Sequence, residues 1–227
     1  MNPATTFTTS PSATGFDLQG NPADLAKRID PHELANALSN LCRFNGHVAA
    51  FYSVAQHCCL VHDLIASEED ELRLRDPKRS EATSRAWARA GLLHDAAEAL
   101  GLGDHITQLK RLIGEPVRII EDRLEEAVAI RFGLPVEWLG GARVKRADRI
   151  ALWTEMRDVR GRAGRGMTIE QHVRDGLLTA EQAEHQPQPP EWLSIIPVPP
   201  RVARVGFLKR LSKCWPSPDV RIDWTHP

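Results

Sequence analysis

Residues 84–100 read SRAWARAGLLHDAAEAL, and this stretch is the strongest single indication of the fold class. More than half of it is alanine or leucine, two of the strongest helix formers, so the sequence predicts one helix over 84–100. Gly101 and Gly103 follow directly and predict where that helix ends. A polar pair, His94-Asp95, stands within the otherwise apolar second half of the helix.

Helical patterns on both sides of this stretch predict an all-α fold. Asp30-Pro31 suits the start of a helix, because aspartate caps the first turn and proline is tolerated at its first position. Ser53 is placed to cap a second helix, and no segment has the alternating pattern of a strand. Further helices are predicted over 107–113, 116–132, 142–160 and 168–184. Since 227 residues fit one sizeable core, we expect a single domain over 16–215.

Three segments are expected to lie outside this core. Residues 1–15 are rich in serine and threonine and are predicted to form a disordered leader, and residues 216–227 form a tail. Residues 67–83 are almost wholly charged and include Pro77, which predicts a charged surface loop.

The C-terminal part of the domain has two predicted pieces. Residues 186–200 are rich in proline and are expected to be extended. This segment is predicted to wrap over the body of the protein with Trp192, Ile195 and Ile196 as anchors. Residues 201–215 are predicted to form a closing amphipathic helix.

The composition argues against several classes of function. The formal net charge of −1 does not favour a surface that coats nucleic-acid polymers or membranes. No apolar run approaches the roughly 20 residues that span a bilayer, and the N-terminus lacks the pattern of a secretory signal. The four cysteines match neither a disulfide framework nor a paired zinc site. We therefore expect a cytoplasmic protein with reduced thiols.

The polar residues of the 84–100 stretch are candidates for chemistry. Glu98 lies four residues after His94 and three after Asp95, so one helix would project all three side chains to the same side. An imidazole and two carboxylates there form a candidate divalent-ion site with a proton carrier beside it. A His-Asp pair alone is unspecific, since His62-Asp63 is another such pair without an equivalent carboxylate.

Two residues elsewhere strengthen this interpretation. His57 lies in the apolar stripe of the second helix, where a core histidine is the alternative interpretation. His62 lies about 140° around that helix and cannot share the same face. Asp148 is a carboxylate on the inward side of a helix, beside Ala147 and Ala151. Two imidazoles and two carboxylates from three helices suit Mn²⁺, Fe²⁺, Co²⁺, Ni²⁺ or Zn²⁺, with positions left for water and substrate.

The order His, His-Asp, Asp resembles the HD-domain phosphohydrolase superfamily. The sequences of the motifs in this chain are similar to those of bacterial 5′-deoxynucleotidases and equally to those of phage-type deoxynucleoside triphosphohydrolases, including dATP-degrading enzymes. The similarity covers roughly residues 15–160 and the final helix. The motifs that carry it are Arg43-Phe-Asn-Gly-His47, Phe51-Tyr-Ser-Val-Ala-Gln-His57, Leu92-Leu-His-Asp-Ala-Ala-Glu98, Gly103-Asp104 and Val144-Lys-Arg-Ala-Asp148.

The resemblance implies an HD-domain helical bundle with one divalent transition metal, Co²⁺, Mn²⁺ or Zn²⁺. The implied ligands of the ion are His57, His94, Asp95 and Asp148. Glu98 is implied to handle protons or to orient the attacking water.

The same resemblance implies a set of substrate residues. Arg43, Lys110 and Lys145 would hold phosphate oxygens, and Arg43 would also stabilise the charge that develops on them during the reaction. Asp104 would line the sugar or phosphate side of the pocket. Phe44 stands where deoxynucleotidases commonly have tryptophan, and it is expected in the same pocket.

The expected activity is hydrolysis of nucleotides by attack of metal-activated water on the α-phosphorus, first of all as a 5′-deoxynucleotidase on deoxynucleoside monophosphates. Release of triphosphate from deoxynucleoside triphosphates is the alternative. A non-catalytic nucleotide sensor is a second alternative, and a helical interaction protein with structural His and Asp residues is a third. Relatives of this kind are often oligomeric, so a homo-oligomer is a further expectation of the resemblance.

Overall fold

The computed structural model describes residues 20–105, 107–160 and 168–215, and over these ranges the chain is a succession of helices. The one β-type pairing within them is an isolated bridge between Cys42 and Ser53. The prediction of a single all-α domain is confirmed, whereas the predicted leader and tail lie outside the described residues. The helices are α1 (Pro22–Arg28), α2 (Pro31–Asn40), α3 (Val54–Arg75), α4 (Glu81–Leu93), α5 (Thr107–Ile113), α6 (Glu115–Phe132), α7 (Val136–Leu139), α8 (Ala142–Asp158), α9 (Ile169–Arg174), α10 (Ala180–Glu184) and α11 (Pro200–Cys214).

Side chains cap the first turns of α2 and α3, the helices before and after the motif at 43–47. The carboxylate of Asp30 accepts the backbone N–H groups of His32 and Glu33, each at 2.8 Å, at the start of α2. The hydroxyl of Ser53 accepts the backbone N–H of Gln56 at 3.2 Å at the start of α3. Both caps satisfy donors that the first turn of a helix leaves free, as the sequence predicts.

The predicted surface loop over residues 67–83 is confined in the structure to residues 76–80. Helix α3 continues through residues 67–75, and α4 begins before the predicted loop would end. The charged residues are compatible with a helix because most of them face solvent, while Glu69 turns inward. Its carboxylate binds the guanidinium groups of Arg79 and Arg143, a tertiary pairing that a count of charges along the sequence does not reveal.

The predicted single helix over 84–100 is interrupted at its polar pair. Helix α4 ends at Leu93, a turn follows at His94-Asp95, and a π-helical turn spans Glu98–Leu102. Wide turns of this kind are rare and occur often at functional sites. The predicted four-residue spacing between His94 and the following glutamate is therefore not that of a regular α-helix.

The Pro-rich segment over 186–200 has no helix before α11, as predicted, but two of its three predicted anchors are wrong. The side chains of Trp192 and Ile196 are 74% and 78% exposed, so they do not hold the segment to the body. Ile195 is partly buried.

Hydrogen bonds hold this segment instead. The side-chain amide of Gln56, near the start of α3, donates to the Ile196 carbonyl at 2.8 Å and accepts the Val198 N–H at 3.0 Å. The carboxylate of Asp158, at the end of α8, accepts the Ile195 N–H at 2.9 Å. The segment therefore ties the start of α3 to the end of α8.

Helices α3 and α4 approach each other closely at Gly91. A Cβ atom at this position would lie 2.6 Å from Cδ1 of Ile65, so a larger residue would push the two helices apart. This close approach allows His57 on α3 to reach His94 at the end of α4. Helix α11 packs across α2, α3 and α4 and closes the core. Among the described helices, none combines the length and apolarity needed to cross a bilayer.

Candidate metal centre

Four polar side chains that are distant in sequence converge between α3, the end of α4 and α8. The Nε2 atom of His57 lies 3.2 Å from His94 Nε2 and 3.2 Å from Asp148 Oδ1. Asp95 Oδ2 lies 3.4 Å and 3.3 Å from the two Nε2 atoms. Ligand atoms bound to one ion at about 2.0–2.2 Å are themselves about 3 Å apart. The four residues predicted from the sequence are thus brought together. Three of them, His57, His94 and Asp148, form a group that could hold a metal ion.

The second nitrogen of each imidazole has an acceptor. His57 Nδ1 lies 2.6 Å from Oε1 of Glu155, and His94 Nδ1 lies 2.9 Å from the backbone carbonyl of Gly91. When Nδ1 carries the proton and donates it, Nε2 carries the lone pair. Metal-ligating histidines commonly have this arrangement, in which an outer acceptor fixes the tautomer and the ring.

The electrostatics of the cluster favour positive charge. Burial and Arg43 act to lower the pKa of His57, but Glu155 and Asp148 outweigh them and raise it to about 10. Burial opposes ionisation of Asp148, but its contacts with His57 and His94 outweigh this effect and hold its pKa well below the usual range. Carboxylates that stabilise an imidazolium so strongly also stabilise a bound cation at the same place.

Cys58 offers a second possible donor group together with His94 and Asp95. Burial, with a smaller effect from Asp95, raises the pKa of the Cys58 thiol well above its ordinary value. The thiolate, which is the form that binds metals, is therefore disfavoured, and the fully buried side chain belongs to the hydrophobic core. The set of nitrogen and oxygen donors therefore fits an ion better than a set that includes Cys58.

Arg43 lies beside the converging atoms. Its Nη1 is 3.4 Å from Oδ2 of Asp95, and its Nη2 is 3.2 Å from Oε2 of Glu155. Burial acts to lower the pKa of Arg43, but these two carboxylates outweigh it and raise the pKa well above its ordinary value. The predicted phosphate-binding guanidinium therefore lies at the site, where it is shared between two carboxylates.

A strained turn after α2 carries the next two predicted residues. Phe44 and Asn45 have φ angles of 56° and 50°, in the left-handed region that disfavours residues other than glycine by about 1 kcal/mol each. Oδ2 of Asp104 accepts the backbone N–H of Phe44 at 2.8 Å. The structure thus brings Asp104 and Phe44 together, and one oxygen of Asp104 holds the turn that presents Arg43.

Glu98 is a buried carboxyl group near this turn. Its Oε2 atom has no hydrogen-bond partner among the described residues. Burial, together with the charges of Asp95 and Asp104, raises the pKa of Glu98 well above its ordinary value. This environment favours the protonated form of the carboxyl group, which suits a general acid.

The two predicted lysines have different surroundings. Nζ of Lys110 lies 2.5 Å from Oε1 of Glu121, so the structure places this lysine in an ion pair between α5 and α6. Lys145 is exposed, one turn before Asp148 on α8.

The second His-Asp pair lies outside the cluster. His62 Nδ1 lies 2.9 Å from Asp63 Oδ1, and the guanidinium of Arg210 on α11 binds both oxygens of Asp63 at 2.7 Å and 2.5 Å. Both carboxylate oxygens of Asp63 are therefore bound within the fold by Arg210.

One residue of the site is absent from the sequence prediction. Glu155 lies seven residues after Asp148 on α8, and two helical turns place both on nearly the same face. That spacing is the signal that could have indicated it.

No protein-family model matches this chain. The chain is similar to Uncharacterized protein YfdR of Escherichia coli (strain K12), with 36% identity over 128 residues that cover 56% of this chain and 60% of YfdR. It is also similar to an uncharacterized protein of Rhodobacter capsulatus, with 34% identity over 137 residues that cover 59% of this chain and 64% of the relative. The chain therefore spans about three fifths of each relative's length. Neither name states an activity.

Proposed function

We propose that this chain is a divalent-metal-dependent phosphohydrolase of nucleotides, and first of all a 5′-deoxynucleotidase acting on deoxynucleoside monophosphates. The observation that carries the proposal is the convergence of His57 Nε2, His94 Nε2, Asp95 Oδ2 and Asp148 Oδ1. The resemblance of the sequence motifs to HD-domain phosphohydrolases supplies the class of substrate.

The donor set suits an intermediate divalent ion. Two imidazoles and two carboxylates favour Mn²⁺, Co²⁺ or Zn²⁺ over the hard cations that prefer oxygen alone. Four protein ligands leave an octahedral ion with further positions for small molecules. A bound ion of this kind acidifies water and neutralises charge on a phosphate.

Glu98 is the group that we assign to proton transfer. Its raised pKa favours the protonated form, and its Oε2 atom, which has no hydrogen-bond partner among the described residues, is able to donate that proton. During hydrolysis of a monophosphate, the oxygen of water forms the new bond to phosphorus as the bond to the 5′ oxygen breaks. The leaving oxygen takes the proton of Glu98, and the products are nucleoside and phosphate.

We assign Arg43 and the turn that follows it to substrate binding. The guanidinium of Arg43 lies beside Asp95, so its positive charge acts on phosphate oxygens that bind next to this carboxylate. Phe44 and Asp104, which are held together by a hydrogen bond, are assigned to the nucleoside side of the pocket.

A second candidate activity is release of triphosphate from deoxynucleoside triphosphates. A cavity of about 460 Å³ is lined by three cations, Lys110, Arg111 and Arg118, and by the acids Glu115 and Glu121. Positive charge in such a space would suit a longer phosphate chain. The two candidates differ in the product released, since both attack the same phosphorus.

A panel of nucleotides distinguishes these activities from binding alone. The full chain would be loaded with Mn²⁺, Co²⁺ or Zn²⁺ and incubated with deoxynucleoside and ribonucleoside mono- and triphosphates. We expect inorganic phosphate from deoxynucleoside monophosphates. Triphosphate as the product would support the second candidate, whereas binding without turnover would indicate a nucleotide sensor. Absence of both turnover and a bound ion contradicts the proposal.

A further inference from the structure

Glu155 is a carboxylate that is completely buried in the middle of the protein. Its side chain is 0% exposed, and it lies on α8 two turns after Asp148. A buried carboxylate is strongly unfavourable unless positive or donating groups compensate it. Oε1 lies 2.6 Å from His57 Nδ1, and Oε2 lies 3.2 Å from Arg43 Nη2.

We propose that Glu155 is a positioning residue of the metal centre, which fixes the His57 ring in the tautomer and orientation that present Nε2 to the ion. This inference rests on the proposed metal site and adds to it a residue that does not touch the ion. A carboxylate acceptor also makes the opposite nitrogen of the ring a stronger donor to a metal.

The two histidines differ in where the acceptor of their Nδ1 atom comes from. The outer acceptor of His94 is local, because the Gly91 carbonyl lies three residues earlier, in the last turn of α4. The outer acceptor of His57 comes from a helix almost one hundred residues away in sequence. The orientation of His57 therefore depends on the packing of α3 against α8, and Glu155 is the contact that transmits it.

Arg43 makes the burial of Glu155 possible and connects it to a ligand. The same guanidinium that faces Oε2 of Glu155 faces Oδ2 of Asp95 through its other terminal nitrogen. Loss of the negative charge at position 155 would therefore release Arg43 toward Asp95, which would weaken the ligand set further.

Glu69 supplies a matched control, because it is also a buried glutamate. It is 1% exposed, and its carboxylate binds Arg79, Ser84 and Arg143. It has no described contact with the four converging residues. If Glu155 were merely a structural ion pair, the two glutamates would respond to substitution in the same way.

The experiment is a titration of metal-depleted protein with Co²⁺, followed by calorimetry and by the visible spectrum of the bound ion. Wild type, Glu155→Gln and Glu69→Gln are compared. We expect Glu155→Gln to raise the Kd for Co²⁺ by about 10- to 100-fold and to alter the spectrum. Glu69→Gln should leave the Kd within about twofold of wild type while lowering the melting temperature.

The tautomer of His57 gives a second readout. With ¹⁵N-labelled histidine, the wild-type protein bound to diamagnetic Zn²⁺ should show His57 protonated at Nδ1 and metal-bound at Nε2. The variant Glu155→Gln should show a loss or a mixture of this state. If Glu155→Gln does not fold, Glu155→Asp serves the same test, since the shorter side chain lengthens the contact and should raise the Kd.

The possible failures are distinguishable. Wild-type protein that binds Co²⁺ with a Kd and a spectrum unchanged by substitution of Glu155 overturns the positioning role alone. Wild-type protein that binds no Co²⁺ overturns the metal centre, and with it the proposed function. An equal rise in Kd in Glu69→Gln also overturns the positioning role, because it would trace the effect to general destabilisation.

Discussion

The two ends of α3 hold their polar residues in different ways. Near its start, His57 joins the metal centre. Farther along, His62, Asp63 and Glu69 form what we call the arginine-paired end, where each acid meets a guanidinium group. At the metal centre, the charges of four carboxyl groups act on the single guanidinium of Arg43: Glu155, Asp95, Asp104 and Glu98. In a set of ion pairs, each acid is compensated by a guanidinium group within the fold, whereas an acid-rich set with converging lone pairs is suited to bind a cation.

The two His-Asp pairs show that the dipeptide alone does not determine this difference. Asp63 is bound by Arg210 through both oxygens, so it is occupied within the fold. Asp95 instead faces two imidazoles and shares Arg43 with another carboxylate. Substitutions in the two regions should therefore separate loss of function from loss of stability.

Asp95→Asn should have the largest effect on function. Removal of one charged ligand is expected to abolish metal binding and to reduce turnover on the order of 10³-fold, since an ion contributes several kcal/mol to the transition state. The check is metal content per chain together with the rate of phosphate release. Full activity in metal-free Asp95→Asn protein would contradict the assignment.

Glu98→Gln should retain the ion and lose rate. A general acid contributes about 10²–10⁴-fold to kcat, so a loss in this range is expected with unchanged metal content. The raised pKa of Glu98 also predicts a pH effect. The acid form is present below that pKa, so the wild-type rate should fall as the pH rises through it, and this alkaline limb should be absent in the variant. If the variant keeps the wild-type rate and the alkaline fall of the pH–rate profile, Glu98 has no part in the mechanism.

Glu69→Gln tests the arginine-paired end through stability. Burial opposes its ionisation, but Arg79, Ser84 and Arg143 outweigh this and lower the pKa of Glu69 to about 2. The unfolded value is about 4.3, so the stabilisation is present above that pH and is lost as the pH falls toward 2. The variant should lose on the order of 2 kcal/mol at pH 7 and show a weaker decline in acid. Urea denaturation at pH 7 and pH 3 measures both, and identical acid slopes would count against this account.

Asp63→Asn should have the smallest effect. The carboxylate is half exposed, and exposed ion pairs contribute up to about 1 kcal/mol, so a loss of about 0.5–1 kcal/mol is expected. Turnover and metal content should equal those of wild type. A loss of metal in this variant would erase the distinction between the two His-Asp pairs.

The parts of the fold that could be predicted from the sequence are those with local causes. The starts of α2 and α3 follow from Asp30 and Ser53, whose side chains bond to the next few backbone N–H groups. The continuation of α3 through the charged segment was missed because it depends on Glu69, whose partners lie on other parts of the chain. The turn at the end of α4 was missed because alanine and leucine favour a continuous helix there.

The residues of the site also divide into those that the sequence indicates and those that depend on tertiary contacts. The order of the motifs indicated four candidate ligands, and the structure brings them together. Glu155 acts through a contact with His57 that arises only when α3 packs against α8. The pairing of Lys110 with Glu121 is likewise a tertiary contact between two helices, which no local pattern in the sequence indicates.

The most direct test of the metal centre is anomalous X-ray diffraction from a crystal of the full chain loaded with Co²⁺, recorded at the cobalt edge. The account predicts a single peak per chain at about 2.0–2.3 Å from His57 Nε2, His94 Nε2, Asp95 Oδ2 and Asp148 Oδ1. A peak bound elsewhere, or no peak among these four atoms, would contradict it.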